Sequence, residues 1–102
     1  MIAELPERAA FLGCLNSKFR VTNVLPEPVD LELSAVSELQ ASARQQAFSV
    51  FFLGPADRLM PQHVYHLSHA QLGELDLFLV PIGKQERGYE YEAVFNHLLT
   101  RS

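Results

Sequence analysis

The sequence predicts a mainly β domain: a short N-terminal helix, then a six-stranded antiparallel meander curled into a small barrel or compact sandwich. Three observations predict it. Apolar and polar residues alternate with a period of two in several short segments. Those segments are separated by Pro, Gly and polar clusters at short intervals. No strand–helix–strand alternation occurs, which argues against a doubly wound α/β fold. At 102 residues the chain is one domain. A sheet of that size removes its edges best by closing on itself.

The helix is expected over 6–15, PERAAFLGCL. Pro6 suits a first turn, Glu7 complements the helix dipole, and Ala10, Phe11, Cys14 and Leu15 share a face at helical spacing. Strands are expected near 18–24, 29–39, 47–53, 62–69, 75–82 and 89–97. KFRVTNV places Phe19 and Val21 on one face, and LPEP ends it. VDLELSAV alternates Val29, Leu31, Leu33 and Ala35 against Asp30, Glu32 and Ser34, with a bulge expected at Ala35-Val36. QASARQQ reads as a polar connection. AFSVFFL reads as a central strand covered on both faces, and Gly54-Pro55 stops it. HVYHLSH follows Pro61, and AQLGE turns the chain. LDLFLVPI is a strand with Pro81 at or near an edge or end, and GKQERG is a hairpin loop. YEYEAVFN sets Tyr89, Tyr91, Ala93 and Phe95 against Glu90, Glu92, Val94 and Asn96.

Composition removes several function classes. The hydrophobic fraction of 48% with 20% charged residues belongs to a globular chain. Mean hydropathy of +0.04 is high for a small soluble domain and leaves apolar surface for a partner. A net charge of −4 with dispersed Lys and Arg offers no phosphate-tracking stripe. Nucleic acid and anionic membrane surfaces are therefore not expected as partners. Cys14 is the single cysteine, so no internal disulfide forms and a reducing, cytoplasmic location is expected. The first residues lack the basic and apolar regions of a signal peptide, and no apolar run approaches a membrane span.

The candidate metal ligands are His63, His66 and His69, three residues apart. On a strand, His63 and His69 share a face with Tyr65 and Leu67, while His66 points the other way. The outer pair then lies about 20 Å apart, too far for one ion to reach all three. The expected metal and cofactor set is therefore none. The pairs Glu90/Glu92, Asp30/Glu32 and Glu74/Asp76 each fall on one face of a strand, as a solvated sheet exterior requires. A glycosidase or acid protease needs its two carboxylates on different elements facing one cleft. Cys14, between Gly13 and Leu15 on an apolar helix face, reads as buried and inert. No nucleophile elbow, P-loop or dinucleotide fingerprint occurs, so no catalytic residue is assigned. Tyr89 and Tyr91 form an aromatic stripe with Phe95. The stripe is core if it faces inward and a protein-binding patch if Tyr89 and Tyr91 are exposed.

FSVFFLGP (48–55), LDLFLVPIG (75–83) and YEYEAVFN (89–96), with KFRV and LELSAV before them, carry a resemblance. Together they resemble a family of small bacterial domains with F-S-x-x-F-x-GP, LFLVP-x-G and YEAVFN strands. The resemblance spans nearly the whole chain. It implies a standalone bacterial domain of about this size, an association with phage-tail-collar-like proteins, and no assigned activity or catalytic residue. The functional expectation is a non-enzymatic structural or protein-interaction module that self-associates or docks on a phage-tail-like or other bacterial assembly. The alternatives are a small-molecule-binding barrel lined by Phe48, Phe51, Tyr65 and Phe78, and a metal-dependent hydrolase using His63, His66 or His97 with Glu90 or Glu92.

Overall fold

The computed structural model of the chain describes residues 8–43 and 45–98. They form α1 (Arg8–Leu12) and seven strands: β1 (Lys18–Val21), β2 (Val29–Val36), β3 (Gln40–Ala41), β4 (Gln45–Gly54), β5 (His63–His69), β6 (Gly73–Gln85) and β7 (Gly88–Leu98). The six long strands close into an antiparallel barrel, because β2 pairs with β4 at the ends of the order β2-β1-β5-β6-β7-β4. The barrel of the sequence reading is therefore right, and the sandwich alternative is not.

The ring is two three-stranded meanders and not one six-stranded run. β1, β2 and β4 form one wall, and β5, β6 and β7 form the other. They join along β1–β5 and β4–β7. Hydrophobic alternation specifies which face of a strand is buried, but says nothing about which distant strand completes the ring. The β4–β7 ladder is the longest, running from Gln45↔Leu98 to Gly54↔Tyr89. β3 is an unforeseen two-residue strand inside the polar connection, paired with the start of β4.

Period-two burial holds around the ring. Phe19 and Val21, Leu31 and Leu33, Val50 and Phe52, Tyr65 and Leu67, Leu77 and Leu79, and Tyr91 and Ala93 all point inward and are buried. A six-stranded barrel is narrow enough for such side chains to fill it. Burying each large side chain contributes about 2–3 kcal/mol.

Both ends are plugged. At the helix end, Phe11 of α1 is fully buried against Phe95, Phe48 and Phe19, at centroid distances of 5.3, 6.3 and 6.5 Å. Phe48 stacks on its cross-strand partner Phe95 at 4.8 Å. At the other end, residues 55–62 cross from β4 to β5, which lie on opposite sides of the ring. The Tyr91 hydroxyl accepts the Met60 N–H at 2.9 Å, and Tyr65 donates to the Pro61 carbonyl. The Arg58 guanidinium donates to the carbonyls of Leu25 and Glu27, tying this strap to the β1–β2 loop. Met60 is buried beneath it.

Several boundaries move. The described helix spans Arg8–Leu12, with Phe11 and Cys14 buried as expected and Leu15 39% exposed; Pro6 and Glu7 lie outside the described residues. The β2 bulge falls at Ser34, between Leu33↔Phe52 and Ala35↔Phe51, one residue before the expected place. β6 continues through Pro81 to Gln85, with its register shift between Pro81 and Gly83. A proline removes one ladder donor, and the bulge absorbs that loss. Gly88 closes the β6–β7 hairpin at φ +147°, and a Cβ there would stand 1.8 Å from the Gly54 carbonyl oxygen.

Candidate functional site

The three histidines of β5 go to three different places. His63 is exposed at the strap end, edge-on to Tyr65 at 5.5 Å. His69 is buried at the helix end on the same face, and His66 lies on the opposite face. This is the parity the spacing dictates. Among the described residues, no group of three or more His, Cys, Asp or Glu side chains is placed to hold a metal ion.

His69 resembles half of a serine hydrolase site, because its Nε2 lies 2.8 Å from Ser17 Oγ. The proton placement is the reverse of what such a site needs. Nδ1 accepts the backbone N–H groups of Gln71 and Leu72, at 3.0 and 3.1 Å. The ring proton is therefore on Nε2, which donates to Ser17, and Ser17 donates to the Cys14 carbonyl. A nucleophilic serine must instead give its proton to an imidazole lone pair. The ring also packs on Phe19 at 4.2 Å, and burial holds its pKa below the ordinary value. His69 is thus a neutral buttress joining the β5–β6 turn to the residues before β1.

His66 sits between two carboxylates. Nδ1 lies 2.8 Å from Asp76 Oδ1, its cross-strand partner, and Nε2 lies 2.5 Å from Glu74 Oε1. Hydrogen bonds to Glu74 and then to Asp76 raise its pKa, because both acceptors favour the imidazolium. The carboxylates approach opposite ring nitrogens, whose lone pairs diverge, so the trio is not a chelate. The group is surface-exposed and works as a proton-linked bridge.

The remaining candidates are equally plain. Cys14 is buried, with Sγ 3.6 Å from Gln71 Oε1. Tyr91 is fully buried inside the barrel and Tyr89 is half-buried, which places Tyr91 in the core and not on a surface patch. Glu90 and Glu92 point outward on β7, and Glu90 accepts the Gln85 amide at 2.9 Å. The His97 backbone pairs with Gln46, and its side chain lies outside the described residues. Phe51 and Phe78 do not line the interior with Phe48 and Tyr65. Both fall on the outer phase of their strands, and Phe78 is 51% exposed.

The outward turn of Phe78 belongs to an apolar strip that sequence alternation alone does not reveal. On the outside of β5–β6–β7, Val64 pairs directly across from Phe78, and they are 49% and 51% exposed. Val94, two residues beyond Glu92 on β7, is 59% exposed, and Ile82 at the bulge is 45% exposed. Glu74 and Asp76 lie toward one end of this strip, and Glu90 and Glu92 toward the other. The signal was present in LDLFLVPI, where every outward position after Asp76 is apolar.

Two open clefts mark the surface. One, of about 250 Å³, lies between β2 and the end of β4 and is bordered by Lys18, Asp30, Glu32 and Arg87. The other, of about 420 Å³, lies beside the strap and is bordered by Leu25, Arg58, Leu59, His63 and Tyr65. No helix among the described residues is long and apolar enough to cross a membrane.

Fold and surface together define a small closed β-barrel domain, filled inside, whose distinctive chemistry is on its outer wall. The chain belongs to a family of domains of unknown function (DUF6916), which accounts for residues 6–95. No curated protein and no solved structure matches it.

Proposed function

We propose that the domain is a non-enzymatic protein-interaction module, an accessory of a phage-tail-like or other multi-protein bacterial assembly. The observation that carries this reading is the exposed apolar strip of Val64, Phe78 and Val94 on a barrel wall that the chain itself leaves uncovered among the described residues. Contiguous apolar surface on a small soluble domain marks interaction sites. The chemistry of the histidines supports the same reading, since neither His66 nor His69 presents a free base to a substrate.

Native mass spectrometry of protein purified from its host without chelator tests it. The expected spectrum shows a homo-oligomer or a stoichiometric co-purified protein, and Phe78→Ser with Val94→Ser abolishes the association. A wild-type monomer carrying one zinc ion or one small molecule would contradict the reading. The strap cleft gives the small-molecule alternative its only observation, because its volume falls in the range of ligand sites.

A further inference from the structure

The strip carries information about what covers it, because the charge of the strands is not evenly shared. β1, β2 and β4 hold Lys18, Arg20, Asp30 and Glu32, two of each sign. Arg20 pairs with Asp30 at 3.0 Å, and Glu32 is met by Arg87 at 3.2 Å. β5, β6 and the described side chains of β7 hold Glu74, Asp76, Glu90 and Glu92 against Lys84 and His66, whose imidazole bridges Glu74 and Asp76. Lys84 is turned over the Tyr89 ring, 5.2 Å from its centroid, in the hairpin beyond the strip. The same wall thus combines an apolar centre with a net acidic rim, whose Glu74 and Asp76 end is bridged by His66.

Resting on the interaction reading above, we propose that the outer wall of β5–β6–β7 docks a protein segment with an apolar centre flanked by Lys or Arg. The apolar side chains fill the strip at Val64, Phe78 and Val94, and the cations meet Glu90 and Glu92 at one end and the exposed carboxylates that flank His66 at the other. This arrangement matches the apolar core and polar rim of specific protein interfaces. Its net acidic rim selects the partner, since like charges face to face are costly and opposite charges speed encounter. A second copy of this chain using the same wall would oppose one net acidic rim with another, so the occupant is not that face of another copy. Nucleic acid and anionic lipid are repelled by the same rim.

The test titrates the isotope-labelled full chain with three short blocked peptides and follows its backbone amide signals. One alternates Leu and Lys, one alternates Ser and Lys, and one alternates Leu and Glu. The Leu/Lys peptide is expected to shift amides around Val64, Phe78 and Val94. The Ser/Lys peptide is expected to bind about tenfold or more weakly, and the Leu/Glu peptide not at all. Phe78→Ser should weaken Leu/Lys binding while leaving the amide spectrum folded, and Glu92→Lys should do the same through charge. Equal binding of both cationic peptides would reduce the effect to nonspecific charge and overturn the proposal. Shifts confined to the Lys18–Glu32 side, or no shifts, would also overturn it. A stoichiometric native partner that binds equally well to Glu92→Lys would leave the interaction reading standing and end this inference.

Discussion

The two walls of the barrel are alike inside and unlike outside. Each contributes fully buried side chains of similar size, Phe19, Leu31, Leu33 and Phe52 from β1–β2–β4 and Leu67, Leu79 and Tyr91 from β5–β6–β7. Outside, the first wall pairs Arg20 with Asp30 and meets Arg87 of the β6–β7 hairpin through Glu32, and Leu53 is buried in the cleft that Glu32 and Arg87 border. The second leaves Val64, Phe78 and Val94 in solvent, with Glu90 and Glu92 toward one end and the His66-bridged Glu74 and Asp76 toward the other. Stability asks the same of both walls. An exposed apolar strip adds nothing to a monomer's stability, and it is the feature on which the proposed interaction rests.

The largest effects should not distinguish the walls. Phe52→Ala and Leu79→Ala each remove a fully buried side chain from an opposite wall, and each is expected to cost about 3–5 kcal/mol in chemical denaturation. A cost below about 1 kcal/mol at either site would mean that wall is not packed as described. Gly88→Ala should rank close behind, at about 3 kcal/mol, because the new methyl would meet the Gly54 carbonyl in a conformation that disfavours side chains. His69→Ala strands the Ser17 hydroxyl and two turn amides and should cost about 2–3 kcal/mol.

Substitutions outside should separate stability from association. Phe78→Ser is expected to change folding stability by no more than about 0.5 kcal/mol while removing association. Arg20→Ala on the first wall breaks an exposed, solvent-screened pair and should leave both folding and association nearly unchanged. If Phe78→Ser unfolds the chain, the strip is part of the fold and not a docking surface.

The smallest effects are those of pH, and the two histidines have opposite signs. His66 has a raised pKa in the folded state, so its contribution is complete below its unfolded pKa of about 6.5 and fades as pH rises through the folded value. His69 has a lowered one, so the fold loses stability as pH falls from about 6.5 toward that value. Melting temperatures across this range should show His66→Gln flattening the alkaline side, and His69→Gln flattening the acid side on a lower baseline. Exchange of those two profiles would mean the histidine environments are misassigned.

The sequence carried the strands because half-buried strands must alternate, and the same parity separated His66 from His63 and His69. It could not carry the ring order, since β4–β7 and β1–β5 pair segments that are not neighbours in sequence. β3 escaped notice because two exposed residues have no face to alternate. The Ser17–His69 contact joins residues 52 apart and leaves no local pattern. The outer strip was readable in part. Phe78 lines the interior only in the small-molecule alternative, and a continuous apolar run hides its own phase until one residue is seen to be buried.

The most direct measurement compares wild-type protein with two paired variants, Phe78→Ser/Val94→Ser on one wall and Arg20→Ser/Asp30→Ser on the other. Native mass spectrometry after purification from the host reads what remains associated with each. The account predicts that the second-wall variant loses its associated chain while the first-wall variant keeps it, with both melting like folded protein. Equal retention by both variants, or loss from the first wall alone, would contradict it.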